Sequence, residues 1–476
     1  DDGDGEQQVT RLHDHAPRRP DRRGSGANRP EIFNRAPEDR SLSQKSYFEK
    51  LAKQGRFDEA SQLVQHMPME RRTIYAYEQL LLACAESGKF NQAWRTYNDM
   101  KKDAIKPTIY TLGHLANVCT TAKDVSEDKI VQRVEAIVGE VEKYQVKVSV
   151  TFFNILMKTL IKCNRLSEAL QFIEKIKDAG HKPDIATYTT YVIALQEKYK
   201  NDEDFNRNKR GLFEKLTYSH NYQELDELRV QGLKQIDQYT QVIQDLKRNN
   251  VQPDRHFVNT VLHACKLTKN PEGVFDVYNT FKDMRFTSHL QSDTRTYDIL
   301  ISTCNYTNKI DKGLELFEEM ITKNIRPDIG LINNLFRLSL RIASTKQQNV
   351  YDNELFIERI MKYMKRYDLM PNDESFTVLI SAYAKQGKLE KVYELFLEMK
   401  EMNITPSIRD YTGLIGGIRH DIDKVMNVFR VIVTQRLKLT PEFIRLMLDI
   451  VRKKGTGDNV EEISKGIRQL ESLTNA

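Results

Sequence analysis

The sequence predicts an all-α fold, a solenoid of about ten to eleven helix-turn-helix repeats. The first observation is a short phrase around proline, as in HKPDIATYTTYVI (181–193), which recurs along the 476-residue chain. Its prolines are Pro107, Pro183, Pro253, Pro327, Pro371, Pro406 and Pro441. They are separated by 76, 70, 74, 44, 35 and 35 residues, which fits a 35-residue period with insertions. The second observation is that apolar residues inside each period follow helical spacing.

Repeats framed to end just after the proline divide the chain from residue 41 onward. They are 41–73, 74–108, 109–149, 150–184, 185–254, 255–293, 294–328, 329–372, 373–407, 408–442 and a partial repeat at 443–476. The repeat at 185–254 contains a charged insertion at 198–216 that departs from the helical stripe. Because its length is two periods, it is either one repeat with an insertion or two repeats.

Inside each repeat, two apolar stripes predict two antiparallel helices. In the repeat at 150–184, Phe153 and Leu156 belong to the first stripe, and Ala169 and Ile173 belong to the second. The stripes are separated by KCNR in this repeat and by KQGR, ESGK and KQGK in others. Gly or Asn in such a link is typical of the left-handed residue that ends a helix. Stacked pairs of this kind bury a continuous core and present their first helices side by side.

The composition limits the function classes. Hydrophobic residues make up 39% of the chain, charged residues 29%, and the net charge is +6. No apolar run approaches the roughly 20 residues that a membrane helix needs, so no membrane insertion is expected. Residues 1–40 are polar and rich in Gly, Pro and Arg, which predicts a disordered tail. The tail is also rich in acidic residues, unlike a transit peptide, so none is expected in this chain.

The cysteines are predicted to pack between helices. Cys84, Cys119, Cys265 and Cys304 each fall on the eleventh residue of a repeat, and Cys163 lies three residues further along in its own. Equivalent positions in separate repeats are too far apart for one tetrahedral zinc site. There is no His-x-Glu beside a Cys-x-x-Cys pair and no P-loop. We therefore expect no metal, no cofactor, no catalytic residue and no small-molecule substrate.

The repeats resemble the pentatricopeptide repeat family. The resemblance is carried by FFNILMKTLIKCNRLSEALQFIEKIKDAGHKPD (152–184) and FTVLISAYAKQGKLEKVYELFLEMKEMNITPS (376–407), and it extends over 41–476. It implies a right-handed solenoid in which single-stranded RNA lies along the first helices, one base per repeat. It also implies that the fifth and the last residue of a repeat contact the base edge together.

Five pairs are assigned to base contact by this resemblance. They are Asn154 with Asp184, Thr189 with Asp254, Asn259 with Asp293, Asn333 with Asn372, and Thr377 with Ser407. The first and third match a uridine-type pairing, the second a guanine type, the fourth a pyrimidine type and the fifth an adenine type. The alternative for any one of these residues is that it only caps a helix.

Five basic residues are candidates for contacts with the RNA backbone. They are Lys162, Arg295, Arg341, Lys385 and Arg409. Arg295 and Arg409 occupy the second position of a repeat, where Glu374, by contrast, suits neither a base nor a phosphate. The alternative is that these cations are simply solvated.

The resemblance implies a non-enzymatic protein that binds an organellar transcript in the mitochondrial matrix. Its role is expected in RNA processing, stability or translation. A different class is a subunit or assembly factor of the mitochondrial ribosome, which the irregular repeat lengths and the acidic pair of Asp298 with Asp328 favour. A third option is a helical scaffold that binds a peptide.

Overall fold

A computed structural model describes residues 46–474 except 69–71, 124, 201–221, 269, 285–291 and 345–350. Within these ranges the regular structure consists of helices, with no strand. The chain is therefore an all-α repeat solenoid, as predicted. The predicted tail at 1–40, and residues 201–216 of the predicted insertion, lie outside the described residues.

The helices follow one another along the chain with short links. They are α1 (46–53), α2 (Phe57–Gln65), α3 (Ile74–Ser87), α4 (Phe90–Lys102), α5 (Ile109–Thr121), α6 (Glu127–Tyr144), α7 (Val150–Lys162), α8 (Leu166–Asp178), α9 (Ile185–Lys200), α10 (Tyr222–Arg248), α11 (Arg255–Lys266), α12 (Gly273–Asp283), α13 (Thr294–Thr307), α14 (Ile310–Thr322), α15 (Ile329–Ser344), α16 (Asn353–Arg366), α17 (Asp373–Lys385), α18 (Leu389–Glu401), α19 (Ile408–Ile418), α20 (Ile422–Thr434), α21 (Pro441–Lys454) and α22 (Gly457–Thr474). Odd numbers are the first helices of the repeats and even numbers the second helices.

The link inside a repeat is a tight turn around one left-handed residue. Gly55, Gly88, Gly387 and Asn164 all have positive φ, between 54° and 74°, as their sequence context predicted. After α3, the backbone N–H of Lys89 donates to the carbonyl of Cys84 across Gly88, at 3.0 Å. This bond satisfies a carbonyl at the helix end, and the chain reverses direction within two residues.

The link between repeats ends in a helix N-cap. Asp293, the last residue of its predicted repeat, accepts a hydrogen bond from the backbone N–H of Thr296 at 2.9 Å, and its own N–H donates to the Thr296 hydroxyl at 3.3 Å. Asn372 and Ser375 form the same capping box at the start of α17. At these two junctions the last residue of the repeat therefore fixes where the next first helix begins.

The chain divides into two compact units, one up to Val125 and one from Ser126 onward. The division falls inside the predicted repeat at 109–149, between α5 and α6. In the first unit, α3 packs against α2, α4 and α5. Phe48, Leu51 and Leu80 belong to a buried cluster of this unit.

In the second unit, the first helices pack against one another in chain order. We call the series α7, α9, α11, α13, α15, α17, α19 and α21 the first-helix row. The second helices α8, α14 and α18 each pack on the first helix of their own repeat. The described part of 185–254 contains two helices, α9 and α10, which contact each other, and α9 also packs against α11.

Buried apolar side chains hold this unit together. One continuous cluster extends from Ile173 to Met399, and a second one extends from Tyr411 to Leu470. The first helices α17 and α19 approach closely where Gly417 faces Ala384, since a Cβ atom on Gly417 would lie 2.3 Å from the Ala384 backbone.

The five cysteines are buried and form no disulfide, in agreement with their predicted packing between helices. Burial raises the pKa of the Cys84 and Cys304 thiols to about 12. They therefore remain protonated at neutral pH and act as small apolar side chains. In the portion of the chain that the structure covers, no helix has the length and hydropathy of a membrane span.

Candidate functional site

The fifth residues of successive repeats occupy equivalent places in the first-helix row, about one turn into each helix. Asn154, Asn259 and Asn333 lie on α7, α11 and α15, and Thr189 and Thr377 lie on α9 and α17. The last residue of each of these repeats stands at the N-terminus of the following first helix. The two members of each predicted pair therefore belong to neighbouring helices of the row, and three of the five pairs are hydrogen-bonded to each other.

Asn154 and Asp184 meet at the junction of α7 and α9. The Asn154 amide donates to Asp184 Oδ1 at 3.1 Å, and the backbone N–H of Thr187 donates to the same oxygen at 2.7 Å. Only 6% of Asn154 is exposed, and no donor in the described part of the chain reaches its Oδ1. Asp184 itself is exposed. This site therefore keeps one buried hydrogen-bond acceptor without a donor in the described residues, beside a solvent-accessible carboxylate.

Asn259 and Asp293 form an equivalent pair between α11 and α13, at 3.1 Å. Here Asn259 Oδ1 also accepts from the hydroxyl of Thr296, at 2.7 Å. Burial acts to raise the pKa of Asp293, but hydrogen bonds from Thr296 and Asn259, together with Arg255 at 3.8 Å, lower it below its usual value. The Asp293 carboxylate is therefore ionised at neutral pH. The side-chain oxygen of Asn259, unlike that of Asn154, already accepts a hydrogen bond.

Among the three fifth-position asparagines, Asn333 makes the most side-chain hydrogen bonds. Its amide donates to Asn372 Oδ1 at 3.2 Å and to Glu374 Oε2 at 2.9 Å, and its Oδ1 accepts from Ser375 at 2.6 Å. Only 1% of Asn333 is exposed. A primary amide has two N–H donors and one carbonyl acceptor, so both donors of Asn333 are used within the protein.

The other two predicted pairs are not joined directly. Thr189 donates back to the carbonyl of Ile185 at 2.7 Å, and Asp254 accepts from the N–H of Phe257 at 2.7 Å. Thr377 donates to Asp410, the third residue of the next repeat, and not to Ser407.

Asp410 also accepts from the N–H of Ser407 at 2.6 Å and from its hydroxyl at 2.9 Å. Ser407 and Thr377 thus meet through the buried Asp410, a residue that the sequence reasoning missed. Its signal was its place three residues after a helix N-cap, which is the capping-box position.

Basic side chains gather at two places along the row. Lys266 donates to the hydroxyl of Ser302 at 2.6 Å. Burial, together with Arg295 and Arg337, lowers the pKa of Lys266 against the opposing effect of Asp298. Arg295 lies 3.7 Å from Asp298. Lys266, Arg295 and Arg337 therefore lie near one another, together with the carboxylates Asp298 and Glu374 that pair with the two arginines.

The second gathering lies at the C-terminal ends of α15, α17 and α19. Lys385 donates to the hydroxyl of Ser344 at 2.8 Å. Partial burial, followed by the cations Arg341 and Arg419, lowers its pKa. Two of the predicted basic residues, Arg341 and Lys385, are thus brought together, and Arg419 joins them.

The remaining two predicted cations stand apart from these groups. Lys162 is exposed as the last residue of α7, and Arg409 is exposed in the first turn of α19. The sequence reasoning missed Lys266, although it occupies the twelfth position of its repeat, one residue before the position shared by Lys162, Arg341 and Lys385. Lys266 could have been found from the sequence by looking for basic residues at the twelfth as well as the thirteenth position of each repeat.

Two protein-family models match the chain. The PPR repeat family matches 72–120 and 148–195, and a model described as the pentacotripeptide-repeat region of PRORP matches 288–472. The chain belongs to the pentatricopeptide repeat family.

Other pentatricopeptide repeat proteins are similar to this chain in sequence. One from Arabidopsis thaliana is 20% identical over 280 residues, covering 57% of this chain and 47% of its own length. The mitochondrial 15S rRNA processing factor ppr3 of Schizosaccharomyces pombe is 24% identical over 257 residues, covering 52% of this chain and 34% of its own length. The chain thus spans less than half of the length of these relatives.

The crystal structure of the maize pentatricopeptide repeat protein PPR10 resembles the present fold. Its TM-score is 0.52 and its identity is 19%, over 88% of this chain and 57% of the maize chain. At this identity the likeness concerns the fold, and it agrees with the repeated helix pairs described above.

Proposed function

We propose that this pentatricopeptide repeat protein binds single-stranded RNA along the first-helix row. The observation that carries the proposal is the regular placement of Asn154, Asn259 and Asn333 at one position of the first-helix row, whose helices also carry Lys266 and Lys385 at their C-terminal ends. Packed helices lie roughly 8–10 Å apart, so successive polar groups are offered at a regular interval. Amides and carboxylates provide donors and acceptors that complement the Watson–Crick edge of a base.

The basic groups supply the attraction for the RNA backbone. Lys266 and Lys385 both have lowered pKa values, because each is partly buried near other cations. A phosphate placed beside either group offsets this repulsion and favours the charged ammonium. Such contacts carry affinity without sequence preference, whereas Asn154 and Asn259, with their acidic partners, are proposed to favour uridine.

The proposed role is binding, without a bond-breaking step. We place it in the maturation, stability or translation of a mitochondrial transcript, in the matrix. The names of two relatives support this location: ppr3 of Schizosaccharomyces pombe and CCM1 of Candida tropicalis are both named mitochondrial 15S rRNA processing factors. A rat relative is also named as a mitochondrial protein.

The same names favour a second candidate, an assembly factor or subunit of the mitochondrial ribosome. Both relatives are named for the processing of a ribosomal RNA. The two candidates differ in the RNA that is bound in cells. Crosslinking the protein in cells and sequencing the attached RNA distinguishes them, because ribosomal RNA indicates a ribosomal role and one dominant messenger RNA indicates a transcript-specific role.

The proposal is tested by selecting ligands from randomised single-stranded RNA with the full chain. Affinity is expected to fall as salt rises, since phosphate contacts release counterions. Lys385→Ala is expected to weaken binding and flatten the salt dependence. Lys400→Ala, which removes an exposed lysine from the second helix α18, is the matched control and leaves both unchanged. Failure of the unaltered chain to bind RNA at any salt contradicts the proposal.

A further inference from the structure

The repeat at 329–372 differs from the repeats of Asn154 and Asn259 because a carboxylate from the second position of the next repeat also engages its amide. Glu374, the second residue of the repeat at 373–407, reaches back from α17 to accept from Asn333 of α15 at 2.9 Å. Ser375 closes the other side of Asn333 with a hydrogen bond of 2.6 Å. Because Asn333 is 1% exposed, a base edge reaches its amide only if these bonds break.

Glu374 is also the end of a chain of polar contacts that crosses three helices of the row. It accepts a hydrogen bond from the guanidinium of Arg337. Arg337 in turn donates to Asn334 at 3.1 Å, and Asn334 donates to Asp298 of α13 at 2.6 Å. Arg295 completes the series at 3.7 Å from Asp298. Protein groups therefore satisfy one another across α13, α15 and α17.

The Asn154 site lacks these two closing contacts. The residue equivalent to Glu374 is Ala186, which has no polar side chain and is exposed at the start of α9. The residue equivalent to Ser375 is Thr187, whose hydroxyl donates to Asp184 at 2.8 Å and not to Asn154. Asn154 Oδ1 consequently has no donor in the described residues. The contrast arises from the second and third residues of the following repeat.

We propose that Glu374 closes the repeat at 329–372 to bases, so that bound RNA is read on both sides of this repeat and not at it. The inference rests on the proposed RNA binding. Glu374 acts in two ways. Its carboxylate accepts a hydrogen bond from the amide of Asn333. It also pairs with Arg337, so this cation is engaged within the protein and not with a phosphate. A carboxylate at this place also repels the phosphodiester chain. RNA passing the repeat is therefore held without base preference there.

The experiment is the selection from randomised RNA, repeated with Glu374→Ala. Asn259→Thr first marks the nucleotide that belongs to the repeat at 255–293, and the nucleotide two further along belongs to 329–372. The unaltered chain is expected to show no base preference at that second nucleotide. Glu374→Ala is expected to add a pyrimidine preference there and to tighten binding at least threefold, since one repelling charge is lost and Arg337 is released.

A matched control comes from the second helices. Glu318 of α14 accepts from Arg359 of α16, so it forms an inter-repeat ion pair of the same type on another face. Glu318→Ala is expected to leave the selected motif and the affinity unchanged. Glu374 is exposed, so its substitution retains the fold, which circular dichroism verifies.

The outcomes separate the two proposals. A base preference at the nucleotide of 329–372 in the unaltered chain, or an unchanged motif with Glu374→Ala, overturns the closure while leaving RNA binding intact. An unaltered chain that selects no RNA overturns both. Adding Asn333→Ser to Glu374→Ala is expected to remove the gained preference, and persistence of that preference also overturns the assignment to Asn333.

Discussion

The Asn154 and Asn333 sites present the same residue type at the same repeat position, yet they differ in what their amides are free to do. Asn154 donates to the exposed Asp184 and retains an unused carbonyl oxygen. Asn333 is satisfied by Asn372, Glu374 and Ser375. The comparison teaches that the fifth residue alone does not determine whether a repeat is available to a base.

The difference is set by residues of the next repeat. Thr187 and Ser375 both complete a capping arrangement at the start of a first helix, but only Ser375 turns its hydroxyl to the neighbouring amide. The intermediate case is Asn259, which accepts from Thr296 and has no carboxylate equivalent to Glu374. The number of hydrogen bonds that the protein makes to the amide therefore rises from Asn154 through Asn259 to Asn333.

The largest expected effect is a loss of folding stability when the Ser375 hydroxyl is removed. Ser375→Ala leaves the buried Asn333 Oδ1 without a donor, and an unsatisfied buried acceptor costs about 2 kcal/mol. Thr187→Val is the comparison variant. It removes a hydroxyl whose hydrogen bonds among the described residues are both with the exposed Asp184, through its carboxylate and its backbone N–H. Denaturant unfolding measures the free energy, and hydrogen exchange in α15 and α17 localises it. Equal losses in the two variants would contradict the described difference between the sites.

A smaller effect, on RNA affinity, is expected from introducing a carboxylate equivalent to Glu374 beside Asn154. Ala186→Glu places an acid where Glu374 stands in its own repeat, so it should engage Asn154 and repel phosphate. RNA affinity is expected to fall about tenfold, which corresponds to about 1.4 kcal/mol, with loss of the base preference at Asn154.

The control for this variant is Gln171→Glu, which adds the same charge on the exposed face of the second helix α8. It should change affinity little, because exposed charges more than a Debye length away are screened. A similar loss in both variants would show that net charge, and not the place of the carboxylate, governs binding.

The smallest expected effect is on the pH dependence of stability through Asp293, the partner of Asn259. The pKa of Asp293 is lowered in the folded state, so its ionised form adds stability above the unfolded pKa. This contribution is lost as pH falls through the folded pKa. Asp293→Asn is expected to remove less than about 1 kcal/mol of stability at neutral pH and to flatten the acid limb below about pH 4. Asp276→Asn, on the exposed face of α12, is the charge-matched control.

Much of the fold follows from local features of the chain. Gly88 and Asn164 adopt the left-handed conformation that their place between two apolar stripes predicted. Cys265 and Cys304 are buried as their equal repeat positions indicated. The hydrogen bonds of Asn154 with Asp184 and of Asn259 with Asp293 are seen only in the structure, and the contact of these pairs with RNA remains a prediction. The link of Thr377 to Asp410 was not foreseen, because it depends on a side chain from the next helix.

The sequence by itself determined the helices, their turns and their period, because helix caps, left-handed glycines and apolar spacing act over a few neighbouring residues. Only the tertiary structure decided which polar groups remain free. Glu374 and Asn333 are 41 residues apart in the chain, and their hydrogen bond exists because α15 and α17 pack side by side. Burial then makes each such bond costly to break, so packing sets the availability of amides that the sequence shows as alike.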